Sequence, residues 1–191
     1  MRLCVRKLIA GLGSALRDRA GTAAVEFALI VPIMLLVYVG TMEASSLITM
    51  DRKIQSVSGA VGDLVARADK VLTTNQLKDY FQAASGIMTP FSSSGVKQVV
   101  TAVNVAPDGS TSVEWTSQYQ NGTYSTTTEY TPGQTYPLPA PMIAVAKGKM
   151  VIAAEASYSY KPLYGIVFDQ AVTLSRAGFF MPRFEGTIDL D

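Results

Sequence analysis

Residues 21–42 read GTAAVEFALIVPIMLLVYVGTM, and their reading decides the fold. The run is apolar apart from one carboxylate, Glu26, and residues 27–42 carry no charged side chain. A helix that crosses bilayer hydrocarbon needs about 20 predominantly apolar residues. Residues 27–42 alone fall short of that, and residues 22–25 supply the remainder. Glu26 therefore lies inside the N-terminal edge of the span. An acidic side chain costs about 2.5–3.5 kcal/mol at the centre of a membrane helix and less near the interface, so it marks a functional position. A secretory signal peptide fits poorly. The run exceeds the usual apolar length of about 7–15 residues, and no A-x-A-like site follows it.

Upstream, Arg2, Arg6, Lys7, Arg17 and Arg19 stand against the single acid Asp18. The rest of the chain holds eleven basic and fourteen acidic residues. Positive charge flanking one end of a span predicts that this end stays cytoplasmic and that the bulk of the chain lies beyond the membrane. The mildly acidic remainder argues against nucleic acid as a partner, which calls for a basic stripe. Cys4 is the only cysteine, which rules out an intrachain disulfide, and histidine is absent. The commonest general base and metal ligand is thus missing.

The order of residues around Glu26 carries a resemblance. Gly21-Thr22-Ala23-Ala24-Val25-Glu26-Phe27, a basic segment before it, Pro32 within the run and Glu43 just past it resemble the TadE-like pseudopilins of tight-adherence (Flp-type) pilus systems. Weaker echoes lie in Tyr158-Ser159-Tyr160-Lys161-Pro162 and in Met181-Pro182-Arg183. The resemblance implies a prepilin peptidase that cuts between Gly21 and Thr22 on the cytoplasmic side. It implies partners among other pilus assembly proteins and pseudopilins, met by helix–helix packing in the lipid bilayer. It also implies a role for Glu26, followed by Phe27. The amine freed at Thr22 is cationic, and a neighbouring subunit's Glu26 would neutralise it within the apolar core, setting the axial register. The expected location is the inner membrane, single-pass, N-terminus cytoplasmic, with the C-terminal domain periplasmic or extracellular. A single-pass adhesin or receptor with an uncleaved anchor and an extracytoplasmic ligand-binding domain is the alternative.

Beyond Glu43 the sequence turns polar but keeps a period. Leu47, Met50, Ile54, Val57, Val61, Leu64, Ala68 and Val71 step alternately by three and four, the pattern of one helical face. This predicts a helix that runs unbroken from the membrane to Leu72. Residues 73–88 predict a second helix with Thr74 as N-cap and Leu77, Phe81 and Ala84 on one face. Residues 96–106 alternate as a strand. Val99, Thr101, Val103 and Val105 face one way, Val100 and Ala102 the other. Pro107-Asp108-Gly109-Ser110 forms a turn, and Val113, Trp115, Ser117 and Tyr119 return on one face.

Residues 118–141 read as a surface loop, with a tight hairpin at Asn121-Gly122. Tyr119, Tyr124, Tyr130 and Tyr136 in this region are candidates either for a contact patch or for covering a sheet edge. A short helix is expected over residues 139–146. Residues 149–160 form a strand with Glu155 facing solvent. A short helix near residues 164–168 and a closing strand near 171–179 complete the chain.

The fold class is therefore α+β. A long N-terminal helix, half in the membrane and half amphipathic, packs on a small antiparallel sheet in a pilin-like arrangement. The organisation is a basic leader over residues 1–21, a transmembrane helix over 22–42 and an extracytoplasmic domain over 43–191. Asp108-Gly109-Ser110-Thr111-Ser112 matches the D-x-S-x-S form of a cation-binding adhesion motif, but its context is a turn between strands. No catalytic residue, metal site or cofactor is expected. The reading is an assembly protein, not an enzyme.

Overall fold

The computed structural model of the protein describes residues 19–162, 165, 169–184 and 186–191. The chain divides into two compact units, Met1–Ser45 and Ser46–Asp191. Helix α1, Arg19–Ala66, contributes to both. The leader before Arg19, and the short helix expected near residues 164–168, lie outside the described residues apart from Gly165.

Within the second unit α1 buries Met50, Ile54, Val57 and Val61, the stripe its sequence spaces at three and four. The pattern then drifts. Val65 is fully buried, whereas Leu64 is half-buried. A straight helix turns every 3.6 residues, so a strict heptad stripe slips by about 20° per heptad. The helix also stops at Ala66, short of the expected Leu72. The N–H of Ala68 closes back on the Val65 carbonyl at 3.0 Å, and the N–H of Arg183 reaches the Ala66 carbonyl at 2.8 Å. Lys70 then turns the chain with φ 59. Leu72 is needed elsewhere: β1, Val71–Leu72, pairs in parallel with β7, Asp189–Leu190, at the C-terminus.

Helix α2, Thr74–Ser85, is capped by Thr73, one residue before the expected cap. Thr73 Oγ1 accepts from the Gln76 N–H, and Gln76 Oε1 accepts from the Thr73 N–H, a capping box. Thr74 is occupied otherwise. Its N–H and hydroxyl both donate to the Asp191 carbonyl, at 2.8 and 2.9 Å. The apolar face of α2 buries Leu77, Phe81 and Ala84 as its spacing predicts.

The main sheet comprises β2 (Lys97–Val105), β3 (Thr111–Gln120), β4 (Thr123–Ser125), β5 (Lys149–Tyr160) and β6 (Val172–Phe180). Its order is β4-β3-β2-β5-β6, with every pair antiparallel. Asn121 (φ 51) and Gly122 (φ 78) supply the two positive φ values that a tight hairpin needs between β3 and β4. Helix α3, Ala140–Ala146, carries Pro141 in its first turn and precedes β5.

The expected single face of Val113, Trp115, Ser117 and Tyr119 does not hold. The register between β2 and β3 passes from Ala102↔Trp115 to Val103↔Val113, which leaves Glu114 as an extra residue. A bulge of this kind reverses the alternation. Trp115 consequently joins the cluster under α1 and α2, while Val113 joins the cluster on the opposite face.

Both faces of the sheet are covered. One carries Val100, Ala102, Ile152, Ala154 and Ala156, packed with the buried residues of α1 and α2. The other carries Val103, Val105, Val151 and Ala153, packed with Tyr136, Leu138 and Ala146. The expected surface loop thus sends Tyr136 and Leu138 into this second layer, while most of its other residues stay exposed. Gly133 N–H donates to the Val113 carbonyl, and Val113 N–H donates to the Gln134 carbonyl, each at 2.8 Å. The C-terminus is also docked. Trp115 Nε1 donates to the Ile188 carbonyl at 2.6 Å, and Ile188 itself is buried.

Candidate functional site

Gly21, Thr22, Glu26 and Phe27 all lie in α1 and all are exposed. Helical geometry puts Thr22 and Glu26 four residues apart on one face, with Cβ atoms about 5–6 Å from each other. Gly21 and Glu26, five apart, are separated by about 7.5 Å of rise and lie on different faces. The structure therefore groups Thr22 with Glu26 and sets Gly21 and Phe27 to either side.

Around these residues the helix is apolar on every side and uncovered. Phe27 and Leu29 are each 68% exposed, and Ile33, Met34, Leu35, Leu36, Val37 and Tyr38 run consecutively with more than half their surface open. The most apolar window of the helix is 0% buried. A helix that is hydrophobic all round is stable only inside a core or a membrane. Residues 21–42 span about 33 Å as a helix, and bilayer hydrocarbon is about 30 Å thick. Pro32 sits within the run without ending it. The Thr41 hydroxyl is satisfied by its own helix, sharing the Val37 and Tyr38 carbonyls at 2.8 Å each. Glu43, beyond the apolar run, is buried and has a partner. By length and composition, α1 is a candidate membrane anchor.

The charged flank of the second half of α1 is tied to the end of the sheet. Asp63 accepts from Arg67 at 2.6 Å and from Arg183 at 2.7 Å, and those two bonds hold its carboxyl below the usual range. Asp51 accepts from Arg176 on β6 at 2.6 Å. Arg183, part of the Met181-Pro182-Arg183 echo, thus closes the helix end through its backbone and its side chain.

Asp108 serves its own turn. Its Oδ1 accepts from the Ser110 N–H at 2.9 Å and from the Ser110 hydroxyl at 2.7 Å, which lowers its carboxyl below the usual value. It sits between β2 and β3, not between a strand and a helix as the adhesion motif requires. Among the described residues no group of three or more Cys, Asp or Glu side chains is placed to hold a metal ion.

One polar cluster escaped the sequence reading. Tyr130 and Tyr136 pack at 4.7 Å between ring centroids, and both hydroxyls donate to Glu155 on β5. Glu155 is consequently half-buried beneath the loop, not facing solvent. Burial, then the Glu155 carboxylate, pushes the Tyr136 hydroxyl far above its ordinary pKa. Tyr119 and Tyr124 pack on Phe81 instead, so the four tyrosines line the two cores and form no single patch. A carboxylate amid an apolar strand was the available signal, but sequence spacing does not say which tyrosine reaches it.

The fold and this helix define a class: an α+β protein whose first helix is a candidate membrane anchor and then a core element. The TadE-like protein family model matches residues 21–61, which cover both halves of α1 and stop before any strand. Over that helix the chain is similar to the TadE-like family, which suggests a membrane protein associated with Tad pilus assembly. No curated protein and no solved structure matches the chain significantly.

Proposed function

We propose that the protein is a pseudopilin or minor pilin-like component of a tight-adherence pilus assembly system, acting by association and not by catalysis. Prepilin peptidase cuts it between Gly21 and Thr22. The mature helix stays in the inner membrane, and the domain that follows lies in the periplasm or outside the cell. Glu26 then meets the cationic amine of a neighbouring subunit. The observation that supports this most is one carboxylate on an uncovered apolar helix, four residues after the proposed new N-terminus, within the segment matching the TadE-like family. A buried ion needs a partner to offset its desolvation, and cleavage supplies one.

N-terminal sequencing of the membrane-extracted protein tests the reading. The expected first residue is Thr22 in cells with the peptidase and Met1 in cells without it. A protein that begins at Met1 in both overturns the proposal and favours an anchored receptor. Glu26→Ala should insert and be cut normally yet lose co-purification with its pilus partners. Equal recovery of partners would remove Glu26 from the mechanism.

A further inference from the structure

Between the last turn of α2, the serine loop before β2 and the β3–β4 hairpin lies a cleft of about 420 Å³, within the span of about 300–1,000 Å³ typical of small-ligand sites. Gln82 and Ser85 line it from α2, Ser93 from the loop, and Tyr119 and Asn121 from the hairpin. Contacts fix the direction of these side chains. Tyr119 faces α2, its ring stacked on Phe81 at 5.7 Å between centroids. The Asn121 carboxamide faces the loop, its Oδ1 accepting from the Gly95 N–H at 2.8 Å. Lys78, one turn before Gln82, holds its ammonium 5.3 Å from the centre of the Tyr124 ring, so the Gln82 side of α2 faces the hairpin. Ser85 Oγ donates to the Phe81 carbonyl at 2.8 Å and accepts from Gln98 Nε2 at 2.8 Å.

Its chemistry is neutral and polar. Among the described residues, no charged side chain lines the cleft. The Gln82 carboxamide, the Ser93 and Tyr119 hydroxyls and Asn121 Nδ2 form no hydrogen bond with any described residue. Behind them lies a further unmet group. Gln98 is the cross-strand neighbour of Tyr119 and the donor to Ser85, and its buried Oε1 has no partner among the described residues. An ion entering here would lose hydration without gaining a counter-charge. A neutral ligand rich in hydroxyls loses less and matches the wall, because each hydroxyl both donates and accepts and each carboxamide offers a donor beside an acceptor.

We propose that this cleft binds a neutral sugar ring, its hydroxyls bonded to Gln82, Ser93, Tyr119 and Asn121. The site shares no residue with the helix-packing function and stands or falls independently of leader cleavage.

The test uses the full chain in lipid nanodiscs with isotope-labelled asparagine. The chain has three asparagines, Asn75, Asn104 and Asn121. The Asn121 carboxamide signal is assigned by its loss in Asn121→Asp, since aspartate tolerates the same positive φ. Methyl glucoside, methyl glucuronide and methyl glucosaminide share a ring and differ in charge. They are titrated in turn, the last below the pKa of its amine, with empty nanodiscs as the control. Methyl glucoside should shift the Asn121 carboxamide saturably, and both charged sugars should bind at least about fivefold more weakly. Gln82→Ala, at an exposed helical position, should keep the thermal midpoint and weaken methyl glucoside binding by about fivefold, the size of one neutral hydrogen bond. An Asn121 signal that methyl glucoside does not shift saturably overturns the proposal. So does a charged sugar that binds as tightly as the neutral one, or unchanged affinity in Gln82→Ala.

Discussion

The two halves of α1 are built from similar residues and meet opposite fates. Ile33 is 66% exposed, and Ile54, in the same helix, is 0% exposed. Hydrophobicity does not separate them; pattern does. Residues 33–38 are apolar in succession, so no face is left for water and the whole circumference needs an apolar solvent. From Leu47 onward apolar residues recur every three or four positions among Asp51, Arg52, Lys53 and Gln55, so one stripe suffices and a sheet supplies its cover. A single helix thus changes solvent along its length, from an apolar environment to a protein core.

The sharpest way to break this contrast is one substitution made twice. Ile54→Ala should lower the unfolding free energy of the second unit by about 2–5 kcal/mol, the usual cost of truncating a buried aliphatic side chain. Ile33→Ala should leave that denaturation midpoint unchanged. Equal effects would mean that the exposed half stabilises the domain, contrary to the burial seen here.

Glycine sharpens it within the second half. A Cβ on Gly62 would overlap the Phe180 ring and meet Ala154 Cβ at 3.0 Å, whereas at Gly59 it would meet nothing within 4 Å. Gly62→Ala should therefore destabilise by about 1–3 kcal/mol through overpacking. Gly59→Ala should stabilise by up to about 1 kcal/mol through helix propensity alone. Chemical denaturation of the two variants should give shifts of opposite sign.

A site away from the helix sets the scale for both. Tyr136→Phe removes a donor from half-buried Glu155 and should cost about 1–3 kcal/mol. If Tyr136→Phe is neutral by thermal unfolding, the loop is held by apolar packing and not by the carboxylate.

The smallest effect is that of pH on the charged flank of α1. The native Asp63 carboxyl titrates below its unfolded value, so its contribution is complete above the ordinary carboxylate range. It is lost as pH falls through the lowered native pKa. Asp63 is partly open to solvent, which makes the contribution small and salt-sensitive. Asp63→Asn should flatten the acid limb of a stability–pH profile slightly and leave neutral stability nearly unchanged. A large loss at neutral pH would show that the ion pairs with Arg67 and Arg183 position the end of the helix.

Most of the elements were legible in the chain, because each rests on local physics. The Asn121-Gly122 turn needs positive φ, and Asn-Gly provides it. Val151 and Ile152 alternate between faces because a strand alternates. The misreadings share one cause, competition from distant residues. Thr74 yields the cap to Thr73 because Asp191 occupies it, and Leu72 leaves the helix because Leu190 pairs with it. Glu114 bulges out of register and sends Trp115 to meet Ile188. For the candidate site, the placement of Gly21, Thr22, Glu26 and Phe27 on one helix was readable, since neighbouring residues need no tertiary contact to share it.

The sequence by itself determined the apolar run that makes α1 a candidate anchor, the placement of one acid within it and the alternation of helix and strands. These depend on spacing along the chain, which folding does not alter. Tertiary structure decided where α1 ends, which face Trp115 joins, and that Tyr136 and Leu138 leave the loop for the core. Each of these depends on residues far apart in sequence that come within bonding distance only when the sheet closes.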